Sequence, residues 1–168
     1  MNVAEETLFV VVATPDPLPA TIDRSRWPAH VTIGGNFAVL AEGETLLPTI
    51  VQVALEDIAA FTVSLGGLDY FGDAGRLPVL LAPHESLSRM HNTLADGLVS
   101  APGFRPAEPA YWRHGYRAHL TLAENVELRE GDELHIERVA LLSLTGSKAL
   151  RRCQWMLPAT LAARPLVP

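Results

Sequence analysis

The sequence predicts an α+β fold of antiparallel strands with two helices on the outside of the sheets. Three observations carry this. Short apolar runs rich in β-branched residues follow one another across tight turns, which favours antiparallel pairing. Two longer segments repeat their apolar residues at the three-to-four spacing of one helical face. Each half of the chain sets one such helix beside strands, so the halves read as similar lobes facing one cleft.

Leu8 to Thr14 is a first strand that ends in the loop Pro15-Asp16-Pro17-Leu18-Pro19. A second strand is expected over Ala29 to Ile33, stopped by Gly34-Gly35. Between Glu44 and Ile58, apolar residues recur at Leu46, Leu47, Ile50, Val51, Ala54, Leu55 and Ile58, the spacing of one helical face. Phe61 to Leu65 and Leu77 to Ala82 read as short strands, with glycine-marked turns on either side of Leu68 to Phe71. Ser86 is the expected N-cap of a second helix carrying Leu87, Met90, Leu94 and Leu98, which breaks at Pro102-Gly103. Tyr116 to Ala123 is a strand, and Leu134 to Thr145 with Leu150 to Leu157 form a closing hairpin across Gly146-Ser147. The total is two helices and about seven strands.

The 168 residues are expected to form a single domain, residues 1 to 168, large enough to bury a core without disulfides or a structural metal. A hydrophobic fraction of 48% with 19% charged residues excludes a disordered or fibrous chain. Cys153 is the only cysteine, so no intramolecular disulfide and no cysteine-based zinc or redox pair can form; a cytoplasmic location is expected. Leu8 to Ala13 is too short to span a bilayer and follows two glutamates, unlike a secretory signal, so no membrane association is expected. The net charge of −6 argues against gripping long nucleic acid and favours a small anionic substrate or an RNA terminus. Arg24, Arg26, Arg113, Arg117, Arg151 and Arg152 could still line a basic cleft if the fold gathers them.

Two tetrapeptides stand out: His30-Val31-Thr32-Ile33 and His119-Leu120-Thr121-Leu122. Residues two apart in a strand share a face, so each copy presents His and Thr together while its two apolar residues anchor the opposite face. One such tetrapeptide is weak evidence. Two of them, about half the chain apart, are much stronger. A pair of histidines flanking a phosphodiester can divide in-line displacement between them, one neutral and taking a proton, the other protonated and giving one to the leaving oxygen. An unperturbed pKa of about 6.5 makes both forms accessible near neutrality. The threonine hydroxyls would donate to the non-bridging oxygens as charge builds there.

In these motifs the chain resembles the 2H phosphoesterase superfamily, which includes the 2′-5′ RNA ligases and cyclic nucleotide phosphodiesterases. The strand with Leu8-Phe9, residues 67 to 71, the strand Leu77 to Ala82, the helix with Leu87 and Leu94, and Gly103-Phe104 before residues 116 to 123 recur in the same order there. The resemblance covers approximately residues 7 to 157. It implies a bilobal fold, two antiparallel sheets related by pseudo-two-fold symmetry around a central cleft. It also implies action, without metal or other cofactor, on 2′,3′-cyclic phosphates or 2′-5′ phosphodiesters of RNA ends or nucleotides. By position, His30 and His119 would be the acid/base pair, and Thr32 and Thr121 the phosphate donors. This chain departs from the usual pattern with Gly34-Gly35 after the first motif and Ala118, where proline is common, before the second.

Arg117 should share the face of His119 and could hold a phosphate or carboxylate; the plainer reading is a solvated strand arginine. Arg26 would share the face of His30 if that strand began early. Trp112 and Tyr70 fall in loops where a ring could stack on a base, or simply pack. His84, His91, His114 and His135 have structural explanations, and none has zinc-motif spacing. The leading expectation is an enzyme acting as a monomer on an RNA terminus or nucleotide. Its competitors are a non-catalytic nucleotide or RNA-end binding module with the same cleft, and a metallohydrolase using His30 and His119 as ligands.

Overall fold

The computed structural model describes residues 5–162. Its first strand, β1 (Glu6–Thr14), owes its central place to a sequence that is apolar on both faces. Phe9, Val11 and Ala13 enter the main core, while Val10 and Val12 enter a second core on the opposite face. A strand buried on both sides reads as a continuous apolar run instead of an alternating one.

After β1 come β2 (Thr21–Asp23), β3 (Val31–Leu40), the short helix α1 (Ala41–Glu44), α2 (Leu47–Ala54), β4 (Phe61–Ser64) and β5 (Leu68–Phe71). The remainder is β6 (Leu77–Leu81), α3 (Glu85–Leu98), β7 (Arg105–Pro106), β8 (His119–Thr121), β9 (Glu133–Ile136), β10 (Arg138–Thr145) and β11 (Lys148–Met156). The α+β class and antiparallel pairing hold, with one large and one small sheet. The large one has the order β2-β11-β10-β1-β3-β8-β6-β5, with β7 also on β3; the small one is β4-β9. Buried residues of α2 (Leu47, Val51, Ala54) and α3 (Leu87, Met90, Leu94, Leu98) join the main core. The second core lies under Leu18, Ile22 and Trp27 of the segment after β1. No helix among the described residues is long and apolar enough to cross a membrane.

Several elements differ from expectation, each for a local reason. Gly34-Gly35 do not stop the second strand. Val11 pairs with Gly34 and Phe9 with Phe37, so residues between them form a bulge and β3 continues to Leu40. Gly34 is needed for close packing, since a Cβ there would lie 2.7 Å from Leu94 Cδ2. The cap of α3 is His84, not Ser86: the imidazole Nδ1 accepts the Ser86 N–H at 3.0 Å, a role usually read only from Ser, Thr, Asp or Asn. The run Leu134 to Thr145 breaks at Glu137, where the chain leaves the small sheet (β9) and enters the large one (β10). The strand expected over Tyr116 to Ala123 pairs regularly only at His119–Thr121. β2, β7 and α1 are too short to leave a periodic signal.

The α3 connection back to β3 turns at Gly103, whose φ of +74° suits glycine, and a Cβ there would meet Leu40 Cγ at 2.4 Å and Leu40 N at 2.9 Å. Both strain and overlap oppose a side chain. Gly103→Ala should lower unfolding stability by about 1–3 kcal/mol in urea titrations; an unchanged midpoint would show that the turn relaxes freely.

Candidate active site

The site is built where β8 wedges between β3 and β6. Val31 pairs with Leu120 across β3 and β8, and Leu120 pairs with Leu80 across β8 and β6. Val31 and Leu120 are fully buried in the main core. Alternation then turns His30, Thr32, His119 and Thr121 to the opposite face. Antiparallel register sets Thr32 across from His119 and His30 across from Thr121, at the usual Cβ separation of about 4.5–5.5 Å. Two imidazoles and two hydroxyls therefore occupy the corners of a small square, all partly exposed.

This square floors a cleft of two compartments that share Leu77 as a wall. One, of about 270 Å³, contains Thr32 and His119 with Phe71, Tyr111, Glu108 and Arg117. The other, of about 310 Å³, contains His30 and Thr121 with Arg24, Ser25 and Trp27. Each compartment thus takes its histidine from one motif and its threonine from the other.

Both histidines are oriented by the same device. His30 Nδ1–H donates to the Pro28 carbonyl at 2.8 Å, and His119 Nδ1–H donates to the Arg117 carbonyl at 2.7 Å. A carbonyl can only accept, so the proton sits on Nδ1 in each neutral ring and Nε2 keeps its lone pair. An aromatic ring packs on each: Trp27 on His30 at 4.8 Å, and Phe71 edge-on to His119 at 4.5 Å between ring centres. Burial holds the pKa of His30 below its ordinary 6.5; the Pro28 carbonyl opposes this, and the charge of His119 adds to it. His119 is likewise lowered, first by burial and then by the Arg117 charge, against the Arg117 carbonyl. Repulsion disfavours placing a proton on both rings at once.

Arg117 lines the first compartment, but not as a free cation. Its guanidinium binds Asp69 at 2.9 Å and lies 5.1 Å from the centre of the Phe71 ring. The Tyr70 N–H and then Arg117 hold the Asp69 carboxyl below its usual range. Trp112 also borders this compartment, yet it is a core residue 6% exposed, set edge-on to Phe37 and Phe104. Tyr70 is 56% exposed and borders neither compartment. The aromatic surface there comes instead from Phe71 and Tyr111, stacked at 5.9 Å and 15°. Arg26 sits in an exposed turn ahead of β3, which begins only at Val31, and lines neither compartment. Among the described residues, no group of three or more His, Cys, Asp or Glu side chains comes together as a metal site.

His91 has the structural place that the sequence suggests, but with partners the sequence does not show. It is 1% exposed on α3; its Nδ1–H donates to the Ile33 carbonyl at 2.7 Å and its Nε2 accepts the Arg113 N–H at 2.9 Å. The ring lies flat on Tyr116, 4.0 Å away and 2° from parallel, and the Tyr116 hydroxyl donates to the Thr32 carbonyl at 2.9 Å. Burial pushes the Tyr116 pKa up, so it stays a donor. This buried strut ties the first motif to the segment leading into the second. Only its apolar helical neighbours were visible in sequence; the carbonyl it serves is far away along the chain.

The chain matches the family model of the 2′-5′ RNA ligase superfamily over residues 13–157. No curated protein sequence matches it. Among solved structures, that of Escherichia coli LigT complexed with 3′-AMP is 17% identical, with TM-score 0.58, covering 91% of this chain and 99% of that one. A structure described as a phosphoesterase is 16% identical, with TM-score 0.57, covering 92% and 99%. The protein TT0787 of Thermus thermophilus is 20% identical, with TM-score 0.54, covering 92% and 98%. At these identities the likeness is one of fold.

Burial holds the His91 pKa below 6.5, against the Ile33 carbonyl, with the Arg113 charge adding to the lowering. Below pH 6.5 the unfolded chain therefore takes up a proton that the folded chain refuses, and stability falls as pH drops from 6.5 toward the lower folded pKa. His91→Phe keeps the ring but strips partners from Ile33 and Arg113, costing about 1–3 kcal/mol for each group left unpaired. Unfolding midpoints measured from pH 7.5 to 5 should be lower in the variant at pH 7.5 and should decline less steeply with acid.

Proposed function

From the premise that this chain belongs to the 2′-5′ RNA ligase superfamily, we propose that it is a metal-independent phosphoesterase. Its substrates are 2′,3′-cyclic phosphates or 2′-5′ phosphodiesters of RNA ends or nucleotides. The observation that carries this reading is the Val31–Leu120 pairing, which sets two imidazoles and two hydroxyls on one accessible face. LigT, of the same fold, has been crystallised with 3′-AMP, ATP, phosphate and NADP+, which supports a nucleotide-sized anion as ligand here.

In the proposed reaction, Nε2 of one neutral histidine takes a proton from water as its oxygen attacks phosphorus. The bond from phosphorus to the ribose oxygen breaks, and Nε2–H of the other histidine protonates that leaving oxygen. Protons are conserved: one imidazole gains what the other loses. Thr32 and Thr121 donate hydrogen bonds to the non-bridging oxygens, each contributing about 10²-fold. The bound anion also raises the pKa of a neighbouring histidine, supplying the protonated ring that burial alone would disfavour. Arg117 binds substrate in exchange for part of its contact with Asp69.

Because both free-site histidine pKa values are lowered, the alkaline limb of the kcat/KM profile, where the acid loses its proton, should lie below pH 6.5. The kcat profile, reporting the bound state, should be displaced to higher pH. Hydrolysis of the four 2′,3′-cyclic nucleotides and of a 2′-5′-linked dinucleotide should proceed in excess chelator. His30→Ala and His119→Ala should each abolish it, and Thr32→Ala or Thr121→Ala should slow it about 10²-fold. Wild-type turnover in both histidine variants would sink the reading; tight binding of adenosine 3′-monophosphate without turnover of any substrate would favour a binding module.

A further inference from the structure

The two compartments are unequal in charge. In the first, Arg117 is paired with Asp69, and Glu108 adds a carboxylate to the lining. In the second, Arg24 is the one arginine or lysine in the lining, and no carboxylate pairs with it among the described residues. The nearest acid in sequence, Asp23, accepts hydrogen bonds from the N–H and hydroxyl of Ser25 and lies 3.6 Å from Lys148.

Arg24 is also held in place. Its N–H donates to the Ser147 carbonyl at 2.9 Å and its Nη1 to the Gly146 carbonyl at 2.8 Å, both in the β10–β11 turn. These acceptors are neutral, so they hold the guanidinium without cancelling its charge. Each compartment alone is at the small end for a nucleotide, whereas a ligand lying across the shared ledge can use both.

We propose that the Arg24 end of the second compartment is a second anion subsite, in which Arg24 holds a phosphoryl group other than the one under attack, while His30 and Thr121 serve the reacting phosphate on the ledge between the compartments. The preferred substrates are then nucleotides that carry an additional phosphate and span both compartments. This rests on the reading of the motif face as a phosphate site.

Calorimetric titration with adenosine 3′-monophosphate, adenosine 2′,5′-bisphosphate and adenosine 3′,5′-bisphosphate tests it. At least one bisphosphate should bind about tenfold or more tighter than the monophosphate, the expected scale for one charge-assisted pair. Arg24→Gln should bring that ratio close to one. Arg26→Gln, at an exposed position lining neither compartment, should preserve it. Equal affinities in the wild type, a ratio retained by Arg24→Gln, or one lost equally in Arg26→Gln would each overturn the subsite. Turnover of adenosine 2′,3′-cyclic phosphate, assayed in parallel, separates the two ideas. Preference for a bisphosphate without turnover would defeat the catalytic reading and leave the subsite standing; turnover without preference would do the reverse.

Discussion

The burial of Val31 against Leu120 is the contact on which the rest of the cleft depends. Hydrophobic burial has no direction of its own, but strand alternation converts it into one: whatever pushes residues 31 and 120 into the core must push residues 30, 32, 119 and 121 out of it. The four polar groups need no mutual attraction to assemble. A slip of β8 by one residue would reverse the second motif, burying His119 and Thr121 and exposing Leu120, so core packing itself enforces the geometry.

Around that seam the structure invests in rigidity. Carbonyls two residues upstream fix each motif imidazole, an aromatic ring packs against each, and the His91–Tyr116 strut braces the backbone at Thr32 and Ile33. Each of these partners is satisfied by hydrogen bonds or ring contact, and no buried side-chain nitrogen or oxygen among the described residues is left without a partner. The proposed in-line reaction would benefit from such preorganisation more than from additional contacts.

Much of this was legible in the sequence because the relevant signals are local. The His-x-Thr-x period, the apolar faces of α2 and α3 and the Gly146-Ser147 hairpin all depend on neighbours a few residues apart. What escaped was set by distant partners. Gly34-Gly35 looked like a stop because nothing local says that Leu94 needs the space. Trp112 looked like loop because Phe37 and Phe104, which enclose it, are not adjacent in sequence. Tyr70 and Phe71 are adjacent, yet only the second faces the cleft, a choice fixed by pairing of β5 with β6. The Glu137 break was hidden because apolar residues continue on both sides while the sheet they join changes.

The shared orientation of the two imidazoles also bears on chemical direction. With Nδ1 of both rings anchored to a carbonyl, a proton can arrive at or leave either Nε2 without any ring turning over or exchanging tautomers. Donor and acceptor can thus trade places at the end of a reaction cycle, leaving machinery that is the mirror of its starting state. In the proposed reaction, whether a phosphodiester is opened or sealed would then depend on which hydroxyl compound stands opposite the phosphorus, and on the relative concentrations of reactants and products, since the residues themselves favour neither course.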